Sequence, residues 1–430
     1  MGKVAILAVL ANLEPRYSVA GVTWASIRLL SRMGHEVVLV TTSDYASFRK
    51  FPPGVEVRTY DRFNGDLDEG FDRSAFDAYV RTTSQRLASA LEDCPVCLTQ
   101  DVVFLRSWVA VNCAMRQAAE SLPAMRWLHW IHSAPSDRPE ELAYPFSACF
   151  ADMPRSLFIC VNHTDAPALA AMYDVPVDRV RTVHNYVDPE TFLCLHPLAA
   201  EFYTRYRLYE ADTVCVYPTR LVKAKQIDKV VKLMSHLKRL GRSVRLFVCD
   251  SYANAEREQA LARDLQEQAR SLGLSEDECV VTSLVQSRWA AQVGHKIEFG
   301  VPNQVVGELM QLADLFVLPS LSEACSMIML EAGLTKNLTV LNRDLETTSE
   351  FLGPESEPEA TDRGLTFSFG SAKRAIGGYL PDEETWYADR ARMVIEAQEH
   401  DRAISFFKYV RKYHSPAWVY ENQLQPLLEG

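Results

Sequence analysis

The chain has 430 residues, of which 48% are hydrophobic and 23% charged, so it is long enough for two hydrophobic cores and too apolar to be disordered. Its formal net charge of −11 disfavours nonspecific binding to nucleic acid or to anionic lipid. No apolar run approaches the roughly 20 residues of a membrane-spanning helix, and the cysteines are scattered, mostly inside apolar runs. These features predict a cytoplasmic protein without stable membrane insertion.

The first half of the chain alternates short apolar strands with helices. A strand at 4–10, a helix at 21–33 and a strand at 36–41 form a β-α-β unit, which favours a strand over a signal peptide at the start. Further strands are predicted at 54–60, 96–99, 127–131 and 157–161. Alternation of this kind predicts a parallel sheet with helices on both faces.

A second alternating series begins at residue 213. Its strands are predicted at 244–249, 280–283, 314–318 and 338–341. Open α/β sheets bind ligands beyond the carboxyl ends of their strands. With two such domains, the expected binding crevice is the cleft between them.

Two carboxylates, Glu323 and Glu331, are separated by seven residues at the start of a predicted helix that follows the 314–318 strand. On a continuous helix this spacing means a rotation of about 80° and a rise of about 12 Å, so the pair is suited to the two ends of an elongated ligand. The amides of Ala324, Cys325 and Ser326 open the helix and favour an anion between those ends. A nucleotide diphosphate sugar has this arrangement of hydroxyls and phosphates.

At these residues the chain resembles the donor-site signature, Glu-x7-Glu, of retaining glycosyltransferases of family 4 (group 1). The resemblance extends to the loop and helix at 20–40, the segment at 183–192 and the terminal stretch at 415–428. It implies the α/β GT-B fold, two Rossmann-like doubly wound domains facing across a cleft. Residues 1–200 would form the acceptor domain, with a helix at 415–430 packing back on it, and 201–414 the nucleotide-sugar donor domain.

The resemblance also assigns roles to individual residues. Arg220 and Lys225 stand where the family binds the diphosphate, and fixed cations stabilise the charge that develops as the nucleotide leaves. Glu323 would accept hydrogen bonds from sugar hydroxyls and Glu331 from the ribose. In the first domain, Gly21 would allow close approach to the donor phosphates.

A histidine follows a predicted strand of the first domain. His132 stands where the family has an active-site histidine facing the sugar, whereas His129 lies on the opposite face of a continuous strand. The pair Asp66 and Asp68 is the candidate for a metal-dependent alternative. The expectation remains a metal-independent enzyme that needs no cofactor beyond its sugar nucleotide.

The leading interpretation is a retaining glycosyltransferase that works by front-face attack and takes a UDP- or GDP-sugar as donor. The alternatives are a GT-B-fold sugar-nucleotide epimerase, a phosphorylase, or a silent sugar-nucleotide-binding protein. The acceptor is open: a glycan, a lipid or a modified nucleobase, with nucleic acid disfavoured by the acidic balance. Three segments depart from the family pattern: 249–252 and 345–350 lack the usual glycines, and 286–300 is longer than common.

Overall fold

The computed structural model describes residues 2–10, 18–45, 51–65, 67, 71–139, 143–250, 256–285, 300–323, 326–345, 347–352, 359–369 and 383–430. The chain divides into two compact units. Unit 1 comprises Met1–Asp188 and Pro416–Gly430, and unit 2 comprises Pro189–Ser415.

Unit 1 is built on a seven-stranded parallel sheet with the order β3-β2-β1-β4-β5-β6-β7. Its strands are β1 (Lys3–Leu7), β2 (Glu36–Thr42), β3 (Glu56–Tyr60), β4 (Val96–Gln100), β5 (Arg126–Trp130), β6 (Ser156–Cys160) and β7 (Val180–Thr182). The inner strands β1, β2, β4, β5 and β6 are almost wholly buried, as expected when helices cover both faces of a parallel sheet, whereas the edge strands β3 and β7 are partly exposed.

Two hydrophobic clusters lie on opposite faces of this sheet. The helices of unit 1 are α1 (Ser18–Arg32), α2 (Arg73–Leu91), α3 (Val109–Glu120) and α4 (Ala166–Tyr173). One cluster includes α2, α3 and α4, and the other includes α1 and the last residues of the chain, such as Val419 and Leu424. The C-terminal segment is therefore part of the core of unit 1.

Unit 2 contains a second seven-stranded sheet with the order β10-β9-β8-β11-β12-β14-β13. Its strands are β8 (Thr213–Thr219), β9 (Val244–Asp250), β10 (Cys279–Val281), β11 (Leu315–Leu318), β12 (Leu338–Asn342), β13 (Ala360–Thr361) and β14 (Gly364–Phe367). All pairs are parallel except β13 with β14.

The helices of unit 2 cover this sheet. They are α5 (Pro189–Phe192), α6 (Pro197–Arg205), α7 (Ile227–Arg239), α8 (Glu256–Ser271), α9 (Asn303–Leu312), α10 (Met327–Leu334), α11 (Thr348–Leu352), α12 (Glu383–His400) and α13 (Arg402–Tyr413). The chain then returns to unit 1 through α14 (Pro416–Val419), a π-helical segment (Tyr420–Leu424) and α15 (Gln425–Glu429).

The predicted fold class is confirmed: each unit is a doubly wound, Rossmann-like α/β domain, two to a chain as in the GT-B class. The first unit ends at Asp188, whereas the sequence places the boundary at residue 200. The difference arises because the segment after Asp188 belongs to unit 2, where Glu308 accepts a hydrogen bond from the His196 backbone N–H (2.7 Å). Within the described part of the chain, no helix combines the length and apolar character that crossing a bilayer requires.

Candidate active site

The main cavity of unit 2 lies at the carboxyl ends of β8, β9 and β11 and has a volume of about 700 Å³. This is the edge at which ligands bind in parallel α/β sheets. Its lining includes four residues predicted from the sequence: Arg220, Lys225, Ser326 and Glu331. The structure therefore brings together residues that are more than a hundred positions apart in the chain.

Lys225 occupies a short 3-10 turn, Lys223–Lys225, that follows β8. Its ammonium forms an ion pair with Glu323, whose side chain is only 10% exposed. The predicted diphosphate-binding cation and the predicted sugar-binding carboxylate are thus direct partners. A diphosphate that binds Lys225 has to compete with Glu323 for the same ammonium.

The turn that carries Lys225 is held by the buried side chain of Tyr217 on β8. The Tyr217 hydroxyl donates to the Lys225 carbonyl (3.0 Å) and lies 3.4 Å from the Ser320 hydroxyl oxygen. The backbone N–H of Leu321 also donates to the Ala224 carbonyl (2.9 Å). These contacts join the two loops that carry Lys225 and Glu323 before any ligand binds.

Helix α10 begins after Ser326, as the sequence predicts. Ser326 has extended backbone angles and makes no side-chain capping bond, and its carbonyl accepts from the Met329 N–H (3.0 Å). The Ser326 hydroxyl therefore does not occupy the amides of Met327 and Ile328 that open the helix. Two of the predicted phosphate-binding amides, those of Ala324 and Cys325, lie outside the described residues. Glu331 lies farther along α10 and is exposed on the same cavity.

Asp250 is a cavity residue without a role in the sequence analysis. Its side chain is 1% exposed, and its Oδ1 accepts hydrogen bonds from the Thr282 hydroxyl and the Ser283 backbone N–H, both at 2.8 Å. Among the described residues its Oδ2 has no donor. Asp250 stands at the turn where the family is usually glycine-rich. The sequence feature that could have identified it is a carboxylate at the end of a buried strand.

His132 follows β5 in unit 1 and is fully engaged by neighbouring side chains. Its Nε2 lies 2.5 Å from the Gln100 side-chain oxygen, and its Nδ1 lies 3.2 Å from the Asn185 oxygen. Burial lowers the pKa of His132 to about 4, so the ring is neutral near pH 7 and carries one proton. It cannot donate to two oxygens at once.

The orientation of the Gln100 amide resolves this conflict. As placed, its buried nitrogen has no acceptor among the described residues. A rotation of the amide by half a turn lets that nitrogen donate to Nε2 of His132. His132 then carries its proton on Nδ1 and donates to Asn185.

Asp101 is a second residue that the sequence analysis did not identify. It directly follows β4, is 1% exposed, and has a positive φ of 54°. Its Oδ1 accepts a hydrogen bond from the backbone N–H of His132 (2.8 Å). Burial raises its pKa to about 6, which makes it a carboxyl group that titrates near neutral pH.

Other predicted positions of unit 1 do not form part of a described site. Gly21 is the fourth residue of α1, which begins at Ser18 and not at Gly21, and a side chain there would meet nothing within 4 Å. His129 is fully buried, is bonded to Thr99 (3.0 Å), and has a pKa lowered by burial to about 3. Asp66, Asp68 and residues 286–299 lie outside the described residues.

Residues 201–355 match the family model of the group 1 glycosyl transferases. This stretch contains Arg220, Lys225, Glu323 and Glu331, together with the cavity that Arg220, Lys225 and Glu331 line. Unit 2 therefore carries a group 1 glycosyltransferase domain, and the protein is an enzyme of the glycosyltransferase class.

The chain is also similar to solved structures over nearly its whole length. One is a glycosyltransferase from Rickettsia africae ESF-5 (12% identity, covering 99% of this chain and 98% of that chain, TM-score 0.36). Another is Anabaena Alr3699/HepE in complex with UDP (14% identity, 100% of both chains, TM-score 0.33). A third is the lipopolysaccharide outer core galactosyltransferase WaaB in its apo form (13% identity, 98% of both chains, TM-score 0.35). Likenesses this distant carry no argument about substrate. No curated protein sequence matches the chain.

Proposed function

We propose that the protein transfers a sugar from a nucleotide diphosphate sugar to an acceptor, with retention of the anomeric configuration and without a metal ion. The main support is that Arg220, Lys225, Ser326 and Glu331 line one cavity at the carboxyl edge of a parallel sheet. Cations, open helix amides and a carboxylate are the groups that a diphosphate and a ribose require.

The cavity supplies the charge stabilisation that the reaction needs. As the glycosidic bond breaks, the leaving diphosphate gains negative charge, and fixed cations such as Arg220 and Lys225 stabilise the transition state more than the ground state. Glu323 is freed when Lys225 turns to the diphosphate, and it then accepts hydrogen bonds from the sugar hydroxyls. Two cations at the diphosphate are the reason for proposing a metal-independent reaction.

Retention is proposed from the family resemblance, in which the leaving phosphate accepts the proton of the acceptor during front-face attack. UDP- and GDP-sugars are the proposed donors, and the cytosol is the proposed location. Eight of the nine described cysteines are buried, and all nine are free, as suits a reducing compartment.

The proposed function is tested by incubating the protein with UDP-, GDP- and ADP-sugars and measuring slow hydrolysis and thermal stabilisation, neither of which needs a known acceptor. We expect one nucleotide class to stabilise the protein and its sugar to be released, and we expect both effects to persist in EDTA. Absence of binding by every nucleotide diphosphate would contradict the function. Loss of turnover in EDTA with recovery in Mn²⁺ would overturn its metal-independent form.

A further inference from the structure

Gln423 of the C-terminal segment contacts the stretch of unit 1 that leads to His132. The Gln423 side-chain oxygen accepts a hydrogen bond from the backbone N–H of His184 (2.8 Å). Its amide nitrogen lies 3.0 Å from Nδ1 of the same histidine. The two contacts form a clasp between the π-helical segment Tyr420–Leu424 and the segment that follows β7.

The direction of both hydrogen bonds in this clasp is determined. A backbone N–H can only donate, so the atom of Gln423 that faces it must be the oxygen, and the amide cannot be turned around. The nitrogen therefore donates to Nδ1 of His184. In that contact Nδ1 is the acceptor, which corresponds to the tautomer with its proton on Nε2.

The residue next to the clasp contacts His132. Asn185, the next residue after His184, places its side-chain oxygen 3.2 Å from Nδ1 of His132. Because the backbone of residue 184 is fixed by Gln423, the reach of the Asn185 side chain is fixed as well. Gln100 holds the opposite edge of the same ring (2.5 Å).

The local sequence explains why a side chain of this helix is available. Gln423 lies in the π-helical segment Tyr420–Leu424, immediately before α15. Pro426 has no backbone N–H and cannot donate to the carbonyl four residues earlier, so the regular α-helical pattern is interrupted there. Single π-helical turns of this kind occur frequently at functional sites.

We propose that Gln423 is a positioning residue for His132, acting through the backbone of His184 and the side chain of Asn185. The inference rests on the proposed function together with the active-site role that the family resemblance gives to His132. Gln423 itself contacts no substrate. It links the C-terminal segment to the orientation of the His132 ring, whose two nitrogens both contact amide side chains.

The test compares Gln423→Met, which keeps the side-chain size and removes both hydrogen bonds, with Gln423→Glu. In the glutamate variant one oxygen still accepts from the His184 N–H, and the other accepts from Nδ1 once the ring moves its proton there. The matched control is Gln425→Met on the same segment, since the Gln425 amide only donates to Glu429 at the surface (2.7 Å). His132→Ala is measured in parallel.

We expect Gln423→Met to lower kcat for hydrolysis of the sugar nucleotide by roughly tenfold, since small misplacements of site groups have effects of this size or larger. Donor KM should not change, because the donor cavity is built in unit 2. Gln423→Glu should retain most of the turnover, and Gln425→Met should resemble the parent. In an Asn185→Ala background, Gln423→Met should have no further effect on kcat.

Several outcomes would overturn the inference. Additive effects of Gln423→Met and Asn185→Ala would show that Gln423 does not act through Asn185, as would equal turnover in Gln423→Met and Gln425→Met. If Gln423→Met does not fold, a folded Gln423→Glu variant without turnover contradicts the inference in its place. Failure of the function itself is distinguishable, because then the parent hydrolyses no sugar nucleotide. A His132→Ala variant with full turnover would overturn the inference and leave the proposed function in place.

Discussion

At the scale of single residues, the ion pair between Lys225 and Glu323 gives the proposed function a testable consequence. The two side chains are 24% and 10% exposed, so solvent screens their attraction only in part. If a diphosphate binds at Lys225 as proposed, Glu323 would compete with it for the ammonium and repel its charge. We expect hydrogen bonds from sugar hydroxyls to Glu323 to offset this cost when a sugar nucleotide binds.

Glu323→Gln is therefore expected to bind the bare nucleoside diphosphate more tightly, by about two- to fivefold, the range of a partly exposed ion pair. The same variant should turn over the sugar nucleotide more slowly, because an amide accepts weaker hydrogen bonds from the sugar than a carboxylate does. Isothermal titration calorimetry and single-turnover hydrolysis measure the two effects on one preparation.

Glu331→Ala is the matched comparison, since it removes the other carboxylate of the motif. Glu331 has no ion pair with Lys225 and is assigned to the ribose. Its loss should weaken binding of the same nucleotide by about 1.5 to 3 kcal/mol. Weaker binding of the nucleotide by Glu323→Gln would contradict the competition between Glu323 and the diphosphate. Unchanged binding by a folded Glu331→Ala would contradict the assignment of Glu331 to the ribose.

Asp101 gives a prediction of pH dependence. Burial raises its pKa from 3.8 to about 6, so the folded state holds this proton more tightly than the unfolded state does. The contribution of Asp101 to stability is therefore present at low pH and is lost as pH rises through about 6. Asn tolerates the positive φ of this position and can still accept from His132.

Asp101→Asn is accordingly expected to match the parent in stability near pH 4 and to exceed it near pH 8, by up to about 3 kcal/mol. Urea unfolding at the two pH values measures this difference. An equal gain at both pH values would mean that the ionised carboxylate carries no folding penalty. If turnover falls in Asp101→Asn while stability rises, the carboxyl group of Asp101 is kept for function.

At the scale of elements, the loops after β8 and β11 are pre-assembled by the Tyr217 hydroxyl. That hydroxyl donates to the Lys225 carbonyl (3.0 Å), while Asn342 at the end of β12 donates to the Ser320 carbonyl (3.0 Å). Adjacent strands of the sheet thus hold one another's loops in place. The position of Lys225 therefore depends on these hydrogen bonds as well as on its own backbone turn.

Tyr217→Phe should lower kcat several-fold, because the Lys225 turn loses a hydrogen bond worth about 1 kcal/mol and becomes less well placed. The matched control is Tyr387→Phe, since the buried Tyr387 hydroxyl has no hydrogen-bond partner within the described residues. Removing that hydroxyl should leave turnover unchanged. Equal kcat values for the two variants would exclude a positioning role for Tyr217.

At the scale of the whole molecule, we expect the product to keep the anomeric configuration of the donor sugar. The predicted donor groups, Arg220, Lys225, Glu323 and Glu331, all belong to unit 2, and the proposed mechanism uses the leaving phosphate as the base. Proton NMR of the first-formed product, recorded before mutarotation, reads the anomeric coupling constant. An inverted configuration would require a carboxylate base, and Asp101 would be the first residue to replace.

The sequence alone determined the fold class and the alternation of strands and helices. Those inferences succeed because they depend on local pattern: buried strands are apolar runs. The donor-site roles of Glu323 and Glu331, which are spaced along one segment, stay predictions. The boundary at Asp188 depends on packing between distant segments, so the local pattern did not reveal it.

Only the tertiary structure decided how individual polar groups are paired. Lys225 and Glu323 are 98 positions apart, and Gln423 and His184 are 239 apart, so no spacing rule connects them. The same holds for Asp101, whose burial and contact with His132 arise where β4 and β5 lie side by side. Burial and neighbouring charge govern the pKa and reactivity of a side chain, and both are properties of the folded chain.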